Sequence, residues 1–194
     1  MNFFNIGFVL CAFCLNMGME LNYVTRIVGV LFMLGGIREL DSFFGEPRFA
    51  KHRSAEIGIA LLAAGGLAQT LMTRFGVIGA AAGNTLSCVF GTLCTAAVLL
   101  DQKKILSVML PDHSLVNDPS LLAKLGKTWK GYAVAAGASL IAEVAGRILP
   151  AGSSESAYIG AVLVFARLLM YIYLALMGTA FNRCRTDFNA IHPT

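Results

Sequence analysis

The sequence predicts an all-α fold, a polytopic membrane helical bundle of six transmembrane helices plus one interfacial amphipathic helix, forming one integral membrane domain over residues 1–194. Three observations carry that prediction. The chain is 57% hydrophobic and only 13% charged, with mean hydropathy +0.70, whereas soluble domains hold about 25% charged residues. Its apolar residues fall in runs long enough to cross a hydrocarbon core about 30 Å thick. Its Lys and Arg residues fall between those runs in a lopsided pattern.

The first two runs cover residues 3–19 and 24–40. As one helix, residues 3–40 would extend roughly 57 Å, almost twice the hydrocarbon thickness, so a break is placed at Glu20, Asn22 and Arg26. Runs at 55–72 and 75–100 are separated by Thr73-Arg74, with Gly76 and Gly79 relaxing the chain beyond. In the long connection that follows, Asp118 before Pro119 reads as a helix N-cap with proline in the first turn. The helix it opens places Leu121, Leu122, Leu125 and Trp129 on one arc and Lys124, Lys127 and Lys130 on the other. Such a segment is expected at the membrane surface, lysines among anionic headgroups and Trp129 at the boundary. Runs at 131–149 and 157–181, joined by a turn over 150–155, complete the bundle.

Orientation follows from the basic residues near helix ends. One side collects Arg38, Arg48, Lys51, Arg53, Lys103, Lys104, Lys124, Lys127, Lys130, Arg183 and Arg185. The other collects Arg26, Arg74 and Arg147, with Arg167 left inside the sixth run. Both termini therefore belong to the cytoplasmic side of a bacterial cytoplasmic membrane. Fusing the first two runs would spoil the separation. The net charge of +4 is spent on this asymmetry, which disfavours a nucleic-acid partner.

Small residues predict which helices meet, because helices in lipid associate through close backbone approach. The fourth run is richest, with Gly79, Gly83, Ser87, Gly91 and Thr95 recurring every fourth residue. Ala60, Ala64 and Ala68 in the third run and Ala138, Ala142 and Gly146 in the fifth show the same spacing. A core of the third, fourth and fifth helices is expected, wrapped by the other three. Gly35-Gly36 and Gly65-Gly66 read as further packing or kink glycines.

Charges inside hydrocarbon are costly and therefore mark candidate sites. Glu143 lies about 18 Å in from Gly131, and Arg167 about 15 Å in from Ala157, so adjacent antiparallel helices bring them level. Arg147, one turn beyond Glu143, is a second candidate partner for the carboxylate, the alternative being that it snorkels outward. Gln69, Asn84 and Ser139 are candidate hydrogen-bonding neighbours. A neutralised structural pair and a substrate or proton site are both compatible with this constellation.

Catalytic machinery is not evident. The cysteines Cys11, Cys14, Cys88, Cys94 and Cys184 lack metal spacing, and the Cys11-x-x-Cys14 pair sits among lipid-suited residues rather than at an exposed helix N-terminus. His52, His113 and His192 fall in cytoplasmic segments, and no H-E-x-x-H, G-x-S-x-G or phosphate loop occurs. Asp112, His113 and Asp118 read as solvated turn residues. No cofactor, no metal and no cleavable signal peptide are expected.

The segment Gly29-Val-Leu-Phe-Met-Leu-Gly-Gly-Ile-Arg-Glu-Leu40, followed by Phe49-Ala-Lys51, resembles the second span of uncharacterised small bacterial multi-pass membrane proteins. It lacks the Asp and Pro those proteins tend to place before that helix. The resemblance implies location and helix count but no activity. Size and helix count also look like the substrate-binding subunits of energy-coupling vitamin transporters. The first helix here nevertheless reads Phe-Val-Leu-Cys-Ala-Phe-Cys rather than Ala-x-x-x-Ala. The expected function is that of a small non-enzymatic accessory or partner-binding membrane protein, whose partners are the bilayer and a membrane protein or second copy. The alternative is a small-molecule permease with its site near Glu143 and Arg167.

Overall fold

A computed structural model describes residues 2–12, 19–44, 49–149 and 153–191. The fold is all-helical, 92% helix with no strand among the described residues. In chain order the elements are α1 (Asn2–Ala12), α2 (Met19–Phe44), α3 (Ala50–Arg74), α4 (Ala80–Met109), a short 3₁₀ turn (His113–Leu115), α5 (Pro119–Ile148) and α6 (Ser154–Ile191). Four of them, α2, α3, α4 and α6, are long and apolar enough to cross a membrane.

Helix boundaries follow local chemistry. α3 stops at Arg74 because Gly76 takes φ of 74°, a left-handed conformation open to glycine, and α4 resumes only at Ala80. Residues 75–79, expected inside the fourth span, therefore form the turn. The Asp118 carboxylate accepts from Ser120 N at 2.9 Å, and Pro119 occupies the first turn, as the sequence signature requires.

The segment expected to lie on the membrane surface is not a separate element. α5 runs without a break from Pro119 to Ile148, about 45 Å. Its apolar arc packs inside the protein: Leu122 and Leu125 are buried, and Gly126 lies against the Leu110 side chain at the end of α4. Lys124, Lys127 and Lys130 stay exposed. Protein contacts thus occupy the face that the amphipathic pattern suggested for lipid. The helix continues through residue 131, where the missing side chain of Gly131 admits the ring of Tyr173 from α6.

The core is also arranged differently from the small-residue expectation. α1 packs against α2, α4 and α6, with Phe3 and Ile6 exposed on its outer face. Its Phe4, Phe8 and Ala12 are fully buried, and Phe8 meets Phe181 of α6 with ring centroids 4.7 Å apart. α1 runs antiparallel to α2, and glycines set the spacing between them. A Cβ on Gly7 would collide with the Met33 backbone, one on Gly36 with the Phe4 backbone, and one on Gly29 would lie 2.7 Å from Cys11 N. Close approach of this kind is a principal source of helix association in lipid. Long-range hydrogen bonds fix α1 further: Gln102 Nε2 donates to Phe8 O at 3.0 Å, and Tyr132 Oη to Ala12 O at 2.7 Å.

Outward faces are apolar. Leu61 on α3, Leu93 and Leu100 on α4, and Val164, Phe165 and Leu168 on α6 all expose more than half of their surface. On α5, Val134, Ile141 and Ile148 recur every seventh residue and are more exposed still. Contiguous apolar surface on this scale is foreign to soluble monomers and suits a lipid solvent.

Candidate functional site

Two polar constellations lie within this apolar bundle. The first is the expected charge group. Glu143 of α5 reaches Arg167 of α6 through Oε2 and Arg147 through Oε1, each at 3.4 Å. Arg147 Nη1 also donates to Asn84 O near the start of α4 at 3.0 Å. The carboxylate therefore bridges two cations, and the group ties α5 to α6 and α4. Because α5 begins at Pro119, Glu143 lies about 36 Å along that helix and level with Asn84, only about 6 Å from the α4 N-terminus. Along α6, Arg167 lies about 20 Å from the helix N-terminus at Ser154. The side chains of Glu143, Arg147 and Arg167 are 32%, 36% and 29% exposed, so the group opens to its surroundings.

The neighbours expected around it divide. Asn84 contributes through its backbone carbonyl, and Ser139 is buried. Gln69 instead ties α3 to α4: Nε2 donates to Gly83 O and Thr73 Oγ1, both at 2.9 Å, while Ser87 Oγ donates to Gln69 Oε1 at 2.8 Å. Among the small residues of α4, Gly83 faces Thr73, whose side chain a Cβ would strike, and Ser87 is buried. Gly79, just before the helix, has nothing within 4 Å of where a Cβ would stand, and Gly91 has only Tyr23 Oη, at 3.9 Å. The four-residue stripe thus makes close contact over part of its length only. Cys14 and His192 lie outside the described residues, and no cluster of three His, Cys, Asp or Glu suited to a metal occurs among the described ones.

The second constellation is one that the sequence reading misses. Gln69 and Ser87 set the register of antiparallel α3 and α4. Counting 13 residues back along α3 and 14 onward along α4, about 20 Å in each case, brings Glu56 level with Asp101. Their carboxyls lie side by side, 3% and 4% exposed. His52, one turn before Glu56, places Nδ1 2.9 Å from Asp101 Oδ1. About a turn and a half along α4 from Asp101, Thr95 Oγ1 meets Arg26 Nη2 from α2 at 2.5 Å. Cys11 of α1, whose thiol contacts Arg26 O at 3.9 Å, stands near Glu56, Asp101 and Arg26. At the adjoining helix ends, Asp41 accepts from Phe49 N and Arg53 Nη2, at 2.9 and 2.8 Å.

Two of these residues depart from their expected places. Arg26, expected as a loop charge, is buried within α2, and His52, expected in a cytoplasmic segment, is buried in α3. Helical spacing is the signal that points to them: His52, Glu56, Ile59, Ala63 and Gly66 follow one face of α3, and Cys94, Val98, Asp101, Ile105 and Met109 one face of α4.

No family model matches the chain, and no curated protein or solved structure matches it.

Proposed function

We propose that the chain is a six-span protein of a bacterial cytoplasmic membrane, with both termini cytoplasmic, acting as a non-enzymatic accessory or partner-binding protein. One observation carries the reading: the Glu143, Arg147 and Arg167 group is about a third exposed on the flank of an otherwise apolar bundle. Charges directed at lipid are costly, so a polar partner surface, from a membrane protein or a second copy, is the natural complement. α5 joins the spans on the strength of its exposed Val134, Ile141 and Ile148, and α1 through its packing against α2, α4 and α6. The interfacial role falls to the lysine-bearing first turns of α5 as an extension of the span. The alternative, a small-molecule permease with its site at Glu143 and Arg167, calls for an enclosed polar cavity there, which an open flank does not favour.

A photo-crosslinking residue at Val144, beside Glu143 and partly exposed, tests the reading in native membranes. A discrete protein adduct that weakens in Glu143→Gln and Arg167→Gln supports it. Adducts to lipid alone overturn it.

A further inference from the structure

We propose that Glu56 and Asp101 form a proton-binding site inside the bundle, holding one exchangeable proton between their carboxyls with His52 as its positioning partner. The argument begins with unmet hydrogen bonding. Glu56 Oε2 and Asp101 Oδ2 are both buried, and neither has a donor to accept from. A buried acceptor without a donor is costly, and two buried carboxylates side by side repel one another. One proton resolves both problems, since it turns one carboxyl into a donor to the other and leaves a single negative charge for the pair.

The surroundings suit that occupancy. His52 Nδ1 at 2.9 Å from Asp101 Oδ1 holds the Asp101 carboxyl from the α3 side. Arg26 of α2 is bonded to Thr95, about a turn and a half along α4 from Asp101. Among the described residues, the thiol of Cys11 on α1 also stands near Glu56 and Asp101, with Cys94 of α4 close to it, and neither thiol supplies a competing carboxylate. A metal ion fits less well. A sodium or calcium ion takes several oxygen ligands, whereas the two carboxyl oxygens named above are the atoms here that lack partners, and helical carbonyls are already committed. His52 also offers an entry step that balances. A proton taken up at Nε2 is matched by release of the proton at Nδ1 to Asp101 Oδ1, leaving neutral imidazole in its other tautomer.

This inference does not depend on the partner-binding reading and fails or stands separately from it. The experiment is infrared difference spectroscopy of the full-length protein in lipid nanodiscs, titrated in pH and repeated in deuterated buffer. The expected result is a protonated-carboxyl band at neutral pH that shifts on deuteration, is lost in Glu56→Gln and Asp101→Asn, and persists in Glu143→Gln. Absence of the band in the wild-type protein overturns the proposal, as does its loss in Glu143→Gln alone. Displacement of the band by sodium chloride at fixed pH also overturns it, in favour of a cation site. Glu56→Gln mimics the protonated side chain and is expected to melt at the wild-type temperature. Failure of that variant to fold would show that the native protein needs the carboxylate, and the proposal would fall.

Discussion

Gly36 of α2 and Phe4 of α1 meet backbone to backbone, so closely that a Cβ on Gly36 would overlap the Phe4 Cα and N. The contact forces a choice on the sequence, because neither backbone can yield as a flexible side chain would. Gly36→Ala is therefore expected to destabilise the protein by about 1–3 kcal/mol, the usual cost of overpacking. Gly58 is the control, since it lies inside α3 with nothing within 4 Å of a Cβ. Gly58→Ala should stabilise by about 0.5–1 kcal/mol through helix propensity. Thermal melts in detergent that rank the two variants in the opposite order would remove α1 from the core.

Glu143 lies between Arg147 and Arg167, at 3.4 Å from each. Removing the carboxylate loses both ion pairs at once, whereas removing either arginine leaves the other to neutralise it. Glu143→Gln should thus cost more than Arg147→Gln or Arg167→Gln. Each double mutant should show a coupling of about 0.5–1.5 kcal/mol, kept modest by partial exposure. Strictly additive cycles would mean that neither contact persists in the membrane.

Topology is open to labelling. With cytoplasmic termini, a cysteine at Glu155 should react with an impermeant reagent in intact cells, and one at Lys104 only after lysis. Reversal of the two results would invert the orientation, and protection of both in intact cells would change the number of spans.

The Asp118 cap adds a pH term. Hydrogen bonds from the Ser120 side chain and backbone hold the Asp118 carboxyl below its ordinary value. Its contribution is complete above the ordinary aspartate range near pH 4 and fades as the pH falls through the depressed folded value. Melting temperatures of wild type and Asp118→Asn should therefore differ less at the acidic end than at neutral pH. A gap that widened on acidification would contradict the cap geometry.

Hydropathy along the chain determined the helical class, the apolar segments now seen as α2, α3, α4 and α6, and the Asp118-Pro119 start of α5. Helix spacing also pointed to Glu143 meeting Arg167, with Arg147 as the other candidate partner, because a short connection obliges α5 and α6 to run side by side. Tertiary structure alone decided that α1 packs into the bundle against α2, α4 and α6, since close backbone approach depends on which glycines face one another and not on how many a helix holds. It alone brought Glu56, Asp101, His52 and Arg26 together. A window average spreads each charge over a whole segment, so Glu56 disappears into an apolar run and Arg26 passes for a loop residue. The register that Gln69 and Ser87 impose on two antiparallel helices is a relation between elements, and one that no single segment encodes.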